Sequence, residues 1–239
     1  MQSPFFRITS RTSEWLIPKE CLKKFGQLSI HDRVGSGAYG SVYNVCDRNN
    51  NCDKVVKVIQ LYPNTYSMQL KYLSESQINE FGDPMDDVVK LFNFEIEVTK
   101  LVSEIGISPK YYDSFICSDI NIYNEQDYLV TLGFIILDKW DMTVENYLRI
   151  TNKSHLPIEI LQKLEDKIHL MHKNGISHGD LHGGNIVLKI KQFKQENGDI
   201  ELVPIDIAII DFGSVIRFNP NNLDNLHLIE GDLYQLNYL

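Results

Sequence analysis

Apolar positions change rhythm along this chain, and each rhythm predicts a different element. From Leu28 onward β-branched and aromatic residues run in short bursts: Ile30 and Val34, then Val42, Tyr43 and Val45, then Val55, Val56, Val58 and Ile59. With Asp47-Arg-Asn-Asn-Asn51 as a turn, the economical reading is three antiparallel strands. Residues 60–82 are polar, with scattered Met68, Leu70, Leu73, Ile78 and Phe81, and predict a loop plus a short helix. Asp83-Pro84 then supplies an N-cap with proline in the first turn, Asp86 and Asp87 suit the positive end of a helix, and Gly106 closes it. Leu91, Phe94, Val98, Leu101 and Ile105 recur at helical spacing, which predicts that they form its buried face. Two more strands follow, Tyr111–Cys117 and Tyr128–Leu137, with a polar turn between them.

Past Asp138-Lys-Trp-Asp141 the texture becomes helical. Val144–Ile150 and Ile158–Lys173 read as helices, the second stopped at Asn174-Gly175. Ile186–Ile190 and Ile205–Ile210 read as short strands around a polar stretch peaking at Gln195–Asp199, and Ile229–Leu239 as a last helix. Strands first and helices second, with a linker near residue 139, predict an α+β chain in two lobes. Residues 1–27, of mixed polarity and without a sustained period, form an N-terminal extension; 28–139 form the strand-rich lobe and 140–239 the mainly helical one.

Composition narrows the class. At 239 residues and 43% hydrophobic content, the chain can bury one good core or two small ones. A formal charge of -9 argues against direct nucleic-acid binding and favours basic partners. Cys21, Cys46, Cys52 and Cys117 are scattered with no C-x-x-C pair, the pattern of reduced thiols rather than of a disulfide frame or zinc site. No signal-like apolar start is present, and the apolar run around Tyr128–Leu137 is broken by Thr131 and Gly133. The expectation is a soluble protein with no membrane partner, intracellular and either cytoplasmic or nuclear.

Three constellations carry chemistry. Gly35-Ser36-Gly37-Ala38-Tyr39-Gly40-Ser-Val42 is a glycine-rich turn between strands, where backbone amides can approach phosphate oxygens. It is no Walker A loop, because Ser41 stands where lysine would follow the last glycine, and no dinucleotide fingerprint, because a strand rather than a helix comes next. Lys57 sits inside an apolar strand; it is either solvent-facing or a phosphate-gripping lysine paired with a carboxylate from the capped helix, for which Glu95 and Glu97 both qualify. Finally Ser177-His-Gly-Asp180-Leu-His182-Gly-Gly-Asn185 precedes a strand and then Asp211-Phe-Gly213. An aspartate, an asparagine five positions later and a second aspartate opening a loop is the spacing of phosphoryl transfer. Asp180 would accept a hydroxyl proton, and Asn185 and Asp211 would hold Mg2+. Singly these are a turn aspartate, a capping asparagine and a β-turn; together and in order they are hard to explain otherwise. His169-x-x-His172 lies on a helix without an obvious third metal ligand, His178 is expected beneath the loop, and His182 near the phosphates.

Over residues 28–239 these motifs resemble the eukaryotic-type protein kinase superfamily, and within it the compact branch of haspin and the small KEOPS-complex kinase. Asp180-Leu-His-Gly-Gly-Asn-Ile-Val-Leu-Lys189 is similar to haspin's catalytic loop, with His182 in place of the usual lysine. Glu95-Ile-Glu-Val-Thr-Lys is similar to its helix C, which favours Glu95 as the partner of Lys57. The resemblance implies ATP covered by residues 35–40 and Val42, with Val55 and Val187 beside the nucleotide. It also implies a hinge at residues 136–140 with Leu137 as gatekeeper and Asp138 and Trp140 near adenine, and an Asp232 that braces the catalytic loop. Beyond His182, three departures matter. Gly179 replaces the arginine that usually receives an activation-loop phosphate; the span from Gly213 to Asp232 is short and lacks Ala-Pro-Glu; and the helices that follow Asp232 in most kinases are reduced. The expectation is an ATP- and Mg2+-dependent serine/threonine kinase acting constitutively on a protein substrate. A small-molecule phosphotransferase of the aminoglycoside or choline kinase type and a non-catalytic scaffold are the alternatives.

Overall fold

The computed structural model describes residues 6–9, 14–37, 40–62, 84–123, 126–196 and 198–238. They divide into two compact units, residues 1–96 with 111–139, and residues 97–110 with 140–239.

The first unit is built on a five-stranded antiparallel sheet. Its strands β3 (Ser29–Gly37), β4 (Gly40–Cys46), β5 (Lys54–Tyr62), β6 (Tyr111–Tyr123) and β7 (Gln126–Asp138) are ordered β3-β4-β5-β7-β6. Period-two alternation sends β5 residues to two different cores. Val56 and Val58 face one, with Val45, Cys117, Leu132, Phe134 and Ile136; Ile59 and Leu61 face the other, with Phe92, Ile96 and Ile135. The second core is covered by the 21-residue helix α2 (Pro84–Glu104). The expected capping residue Asp83 and the stretch 63–82 lie outside the described residues.

The buried face of α2 matches the expected one only in part: Val98 is buried and Phe94, Leu101 and Ile105 are half-buried, but the face is turned away from Leu91. Leu91 is 66% exposed, and the helix buries Phe92, Glu95, Ile96, Val98, Thr99 and Val102. Apolar residues occur nearly all round this helix, so spacing alone admitted two registers, and the one chosen by packing brings a carboxylate inside.

The N-terminal segment, expected as an extension, contributes elements of its own to the first unit. A two-stranded ribbon, β1 (Phe6–Thr9) with β2 (Glu14–Ile17), leads into the short helix α1 (Lys19–Lys23). Ile17, Cys21 and Phe25 are buried in the first core, where Phe25 meets Phe115 and Phe134 edge-on at 5.3 and 5.5 Å. Cys21 is bonded to Cys117 across 96 residues, and Cys46 to Cys52 across the β4–β5 turn. The reading of reduced thiols is therefore overturned: all four cysteines of the chain are paired. Sequence spacing could not reveal the first bond, because only the packing of α1 against β6 makes those residues neighbours.

In the second unit, helices α3 (Val144–Thr151), α4 (Ile158–Lys173) and α5 (Leu226–Gln235) accompany three small β pairings. Strands β10 (Ile186–Lys194) and β11 (Ile200–Ile209) form an antiparallel hairpin, and β8 (Met142–Thr143) pairs with Val187 and Leu188 of β10. Strand β9 (Ile176–Ser177) pairs with β12 (Ile216–Arg217). The hairpin is longer than its apolar runs predicted, because its outer part, Gln192 to Lys194 and Ile200 to Glu201, is an exposed ribbon with no buried face to mark it. Residues 97–110, placed by sequence in the strand-rich lobe, belong to this unit; the Ile107 carbonyl accepts the Ile209 N–H at 3.1 Å, and the Gly106 carbonyl accepts the Lys167 ammonium. No described helix is long and apolar enough to cross a membrane.

Candidate active site

Lys57 stands on central strand β5, on the face covered by α2, in a cross-strand row with Val42 of β4 and Ile135 of β7. An interior strand position under a helix excludes the solvent-facing reading. Its Nζ reaches Glu95 Oε1 at 2.7 Å, with only 13% and 9% of the two side chains exposed. Glu97, the other candidate, is exposed. A buried lysine–carboxylate pair of this kind is costly to break from one side, by about 3–5 kcal/mol when fully desolvated, so each residue fixes the other.

The helix that brings Glu95 is seated by a glycine. Gly133 on β7 lies under Phe92, and a Cβ there would be 2.5 Å from the ring. Phe92 is one turn before Glu95, so the missing side chain lets α2 approach the sheet closely enough for the ion pair. The sequence showed Gly133 only as an interruption of an apolar strand, although an isolated glycine in such a run is a known mark of close approach.

In the glycine-rich turn, Gly37 pairs with Gly40, Ser36 with Ser41 and Gly35 with Val42. Gly40 is demanded by packing, since a Cβ would fall 2.4 Å from the Val58 carbonyl. At Gly35 a Cβ would meet nothing nearer than Val42 at 3.9 Å, so packing does not explain that glycine. Ala38, Tyr39 and the Ser36 side chain lie outside the described residues. Val55 pairs with Leu137 across β5 and β7, and both are half-buried; Asp138 ends β7.

In the second unit the segment from Ser177 to Asn185 is held from below by Asp232 of α5. Its carboxylate accepts the His178 N–H at 2.8 Å, the Gly179 N–H at 3.2 Å and the His172 Nε2 at 2.9 Å. Burial pushes the Asp232 carboxyl upward, but the hydrogen bonds from His172, from the His178 and Gly179 amides and from Ser177 outweigh it and leave it below its usual range. His172 is thus a buried partner of Asp232, and His169 an exposed residue 3.6 Å from Glu165.

His178 is fully buried against Phe212, ring centroids 5.3 Å apart. Its Nε2 donates to the Ile210 carbonyl at 2.9 Å, and its Nδ1 accepts the Asp180 N–H at 3.3 Å. Burial is the main influence on it and lowers its basicity despite the Ile210 carbonyl and the nearby aspartates. A neutral ring thereby connects the segment before Asp211 to the backbone of Asp180.

Asn185 closes the loop. Its Nδ2 donates to the Asp180 carbonyl at 2.9 Å and lies 3.4 Å from Asp180 Oδ2, and its own carbonyl accepts the Ile210 N–H at 2.9 Å. With the amide nitrogen committed, Oδ1 is left as an acceptor. Asp211 follows Ile210 in a left-handed conformation, φ 67 and ψ 70, and opens the turn Phe212–Ser214. The Asp180 carboxylate is about half exposed, with His182 Nε2 at 3.9 Å. His182 itself accepts the Gly184 N–H through Nδ1 at 3.1 Å and so caps the turn Gly183–Asn185. Val187 is buried in β10 between Ala208 and Thr143, and the Trp140 ring lies 5.3 Å from the Lys189 ammonium.

Compared with known families, the chain matches the protein kinase domain over residues 28–231. It belongs to the protein kinase family. Among solved structures it is similar to a crystallised kinase domain, at 14% sequence identity and a TM-score of 0.49, over 80% of this chain and 52% of that one. The chain thus spans about half the length of that kinase-domain chain. A search of curated proteins gave no match. The kinase match takes in the glycine-rich turn, Lys57, Glu95, Asp180, Asn185 and Asp211, and begins after the segment that carries Cys21.

Proposed function

We propose that the chain is an ATP- and Mg2+-dependent protein kinase that transfers a phosphoryl group to serine or threonine hydroxyls and needs no phosphorylation of its own loop. The observation that carries this reading is the Asn185–Asp180 clamp: the Asp180 main chain is fixed by the Asn185 amide while its carboxylate stays accessible to a hydroxyl. Asp180 would take the hydroxyl proton as the oxygen bonds to the γ-phosphorus and the bridging oxygen leaves with ADP. Lys57, held by Glu95, would grip the nucleotide phosphates, beneath amides of the glycine-rich turn, where Gly35 lacks a side chain that packing would have permitted. Val42, Val55, Leu137, Asp138, Trp140 and Val187 are the proposed nucleotide neighbours.

Asn185 Oδ1 and the Asp211 carboxylate are hard oxygen donors of the kind Mg2+ prefers, so the residues present fit the ion. Bound there, Mg2+ would neutralise phosphate charge during transfer. Constitutive activity is supported by Gly179, whose backbone and surroundings leave no place for a phosphate-receiving arginine. The test is a Mg-ATP transfer assay on a peptide array that includes histone tails, run beside aminoglycoside and choline acceptors. Phosphoserine or phosphothreonine on peptides is expected; transfer only to the small molecules, or to neither class, would overturn the reading.

A further inference from the structure

The loop that carries Asp180 also forms one wall of a cavity of about 350 Å³. His182 and Gly184 line it together with Glu145 and Leu148 of α3 and with Gln235 and Tyr238. All of these residues lie in the second unit. Among the lining residues Glu145 is the one carboxylate, and no lysine or arginine lines the cavity. It is exposed and makes no hydrogen bond or ion pair with any described residue. Gly184 is part of the reason it can stand there: a Cβ at that position would lie 3.3 Å from Glu145 Oε2 and 2.8 Å from the His182 ring.

The cavity is next to the proposed base. His182 presents Nδ1 to the Gly184 amide and turns Nε2 toward Asp180 Oδ2, 3.9 Å away. One imidazole ring thus separates the cavity from the carboxylate that would meet the acceptor hydroxyl. A group in the cavity belongs to a part of the substrate close to that hydroxyl.

We infer that this cavity seats a lysine or arginine side chain flanking the accepting serine or threonine, with Glu145 as the specificity-determining carboxylate. The inference rests on the protein kinase reading above and names its substrate class. Leu148 and the Tyr238 ring offer apolar surface to the aliphatic stem, Glu145 meets the cation, and the volume, at the small end of ligand pockets, suits a single side chain. The net charge of -9 draws basic chains toward the surface. Glu145 also occupies the first turn of α3, where any carboxylate favours the helix, so a stability role must be separated from recognition.

The experiment walks one lysine along both sides of a serine in a peptide series, each peptide matched to a norleucine control. ADP formation is measured for the full chain, for Glu145→Gln and for Glu145→Lys. At one position the lysine peptide should have the higher kcat/KM, by about two- to fivefold, as expected of a solvent-screened ion pair, and salt should shrink the ratio. Glu145→Gln should bring that ratio to one. Glu145→Lys should invert it and accept glutamate at the same peptide position, which a loss of helix stability would not do. A flat profile in the unaltered chain, a ratio unchanged in both variants, or Glu145-dependent phosphorylation of a free amino alcohol in place of peptides would overturn the assignment. Asp180-dependent ADP formation that ignores the lysine would remove only the cavity's role. Absence of any Asp180-dependent ADP formation would overturn the kinase reading with it.

Discussion

The Ser214 backbone carbonyl lies 2.5 Å from where a side chain on Gly179 would begin, and Gly179 itself holds φ +74. A left-handed residue facing a carbonyl leaves room for glycine alone. The residue before Asp180 is therefore fixed by backbone geometry. Gly179→Ala should destabilise the chain by about 1–3 kcal/mol, and Gly179→Arg by at least as much without creating a phosphate-responsive enzyme. Thermal unfolding checks the first outcome. The second is checked by comparing activity before and after phosphatase treatment, which should be equal in the unaltered chain; a large loss after phosphatase would refute constitutive activity.

Asp180→Asn keeps the shape of the loop, because the Asn185 contact it must retain is to the Asp180 main chain. It removes the carboxylate proposed to take the hydroxyl proton. Phosphoryl transfer should fall by about 10²–10⁴-fold, the usual worth of a general base, while nucleotide affinity stays within a few-fold. Calorimetric nucleotide titration alongside single-turnover transfer separates the two, and substantial turnover would remove Asp180 as the base.

Much of this was legible in the chain, for identifiable reasons. The Lys57–Glu95 pair and the Asn185–Asp180 contact join residues that the sequence had already singled out by type and spacing, and most strand and helix positions followed from apolar period. The α2 face was misjudged at Leu91 because Leu91 and Phe92 are adjacent apolar residues and only the glycine-sized gap at Gly133 decides which one points inward. The cysteine pairing was invisible because Cys21 and Cys117 become neighbours through tertiary packing of a segment with no period of its own. The role proposed for Glu145 had no sign in the sequence either, since an exposed helical glutamate has no distinctive context in one dimension.

If Gly133 seats α2, then Gly133→Ala should act on nucleotide handling at a distance. The new methyl would meet the Phe92 ring and push the helix outward, at a cost of about 1–3 kcal/mol in overpacking, and the Lys57–Glu95 contact would lengthen. A raised KM for ATP is expected. Adding Phe92→Leu should recover part of it by making space, whereas Gly133→Ala added to Glu95→Ala should cost little further. Steady-state kinetics of the two double variants decide the matter; full additivity with Glu95→Ala would disconnect the glycine from the ion pair.

The two cystine bridges predict resistance to alkylation. The folded chain should take up no iodoacetamide until reduced and denatured, as peptide mapping of Cys21–Cys117 and Cys46–Cys52 would report. Replacing Cys21 and Cys117 by serine should lower stability by roughly 2–5 kcal/mol, because that bridge closes a long loop of the unfolded chain. Replacing Cys46 and Cys52, which close a short turn, should cost less. Free thiol at all four positions in freshly purified, unreduced protein would contradict the pairing.

Acid should weaken the fold through His178, the buried histidine that supports the backbone of Asp180. Burial holds His178 below its ordinary value of 6.5, against the pull of the Ile210 carbonyl and of Asp232, Asp211 and Asp180. Above pH 6.5 the ring is neutral in both folded and unfolded chains, and the full stabilisation is present. As pH falls from there the unfolded chain binds a proton that the folded chain refuses, so stability declines until the depressed folded value is passed. Asp232, lowered from 3.8 by its hydrogen bonds, adds a second decline of the same sign below that pH. The melting temperature of the unaltered chain should therefore drop in two stages. His178→Gln, which keeps polar atoms for the Ile210 and Asp180 contacts but cannot titrate, should flatten only the first. An unchanged first stage in that variant would place the acid sensitivity elsewhere in the chain.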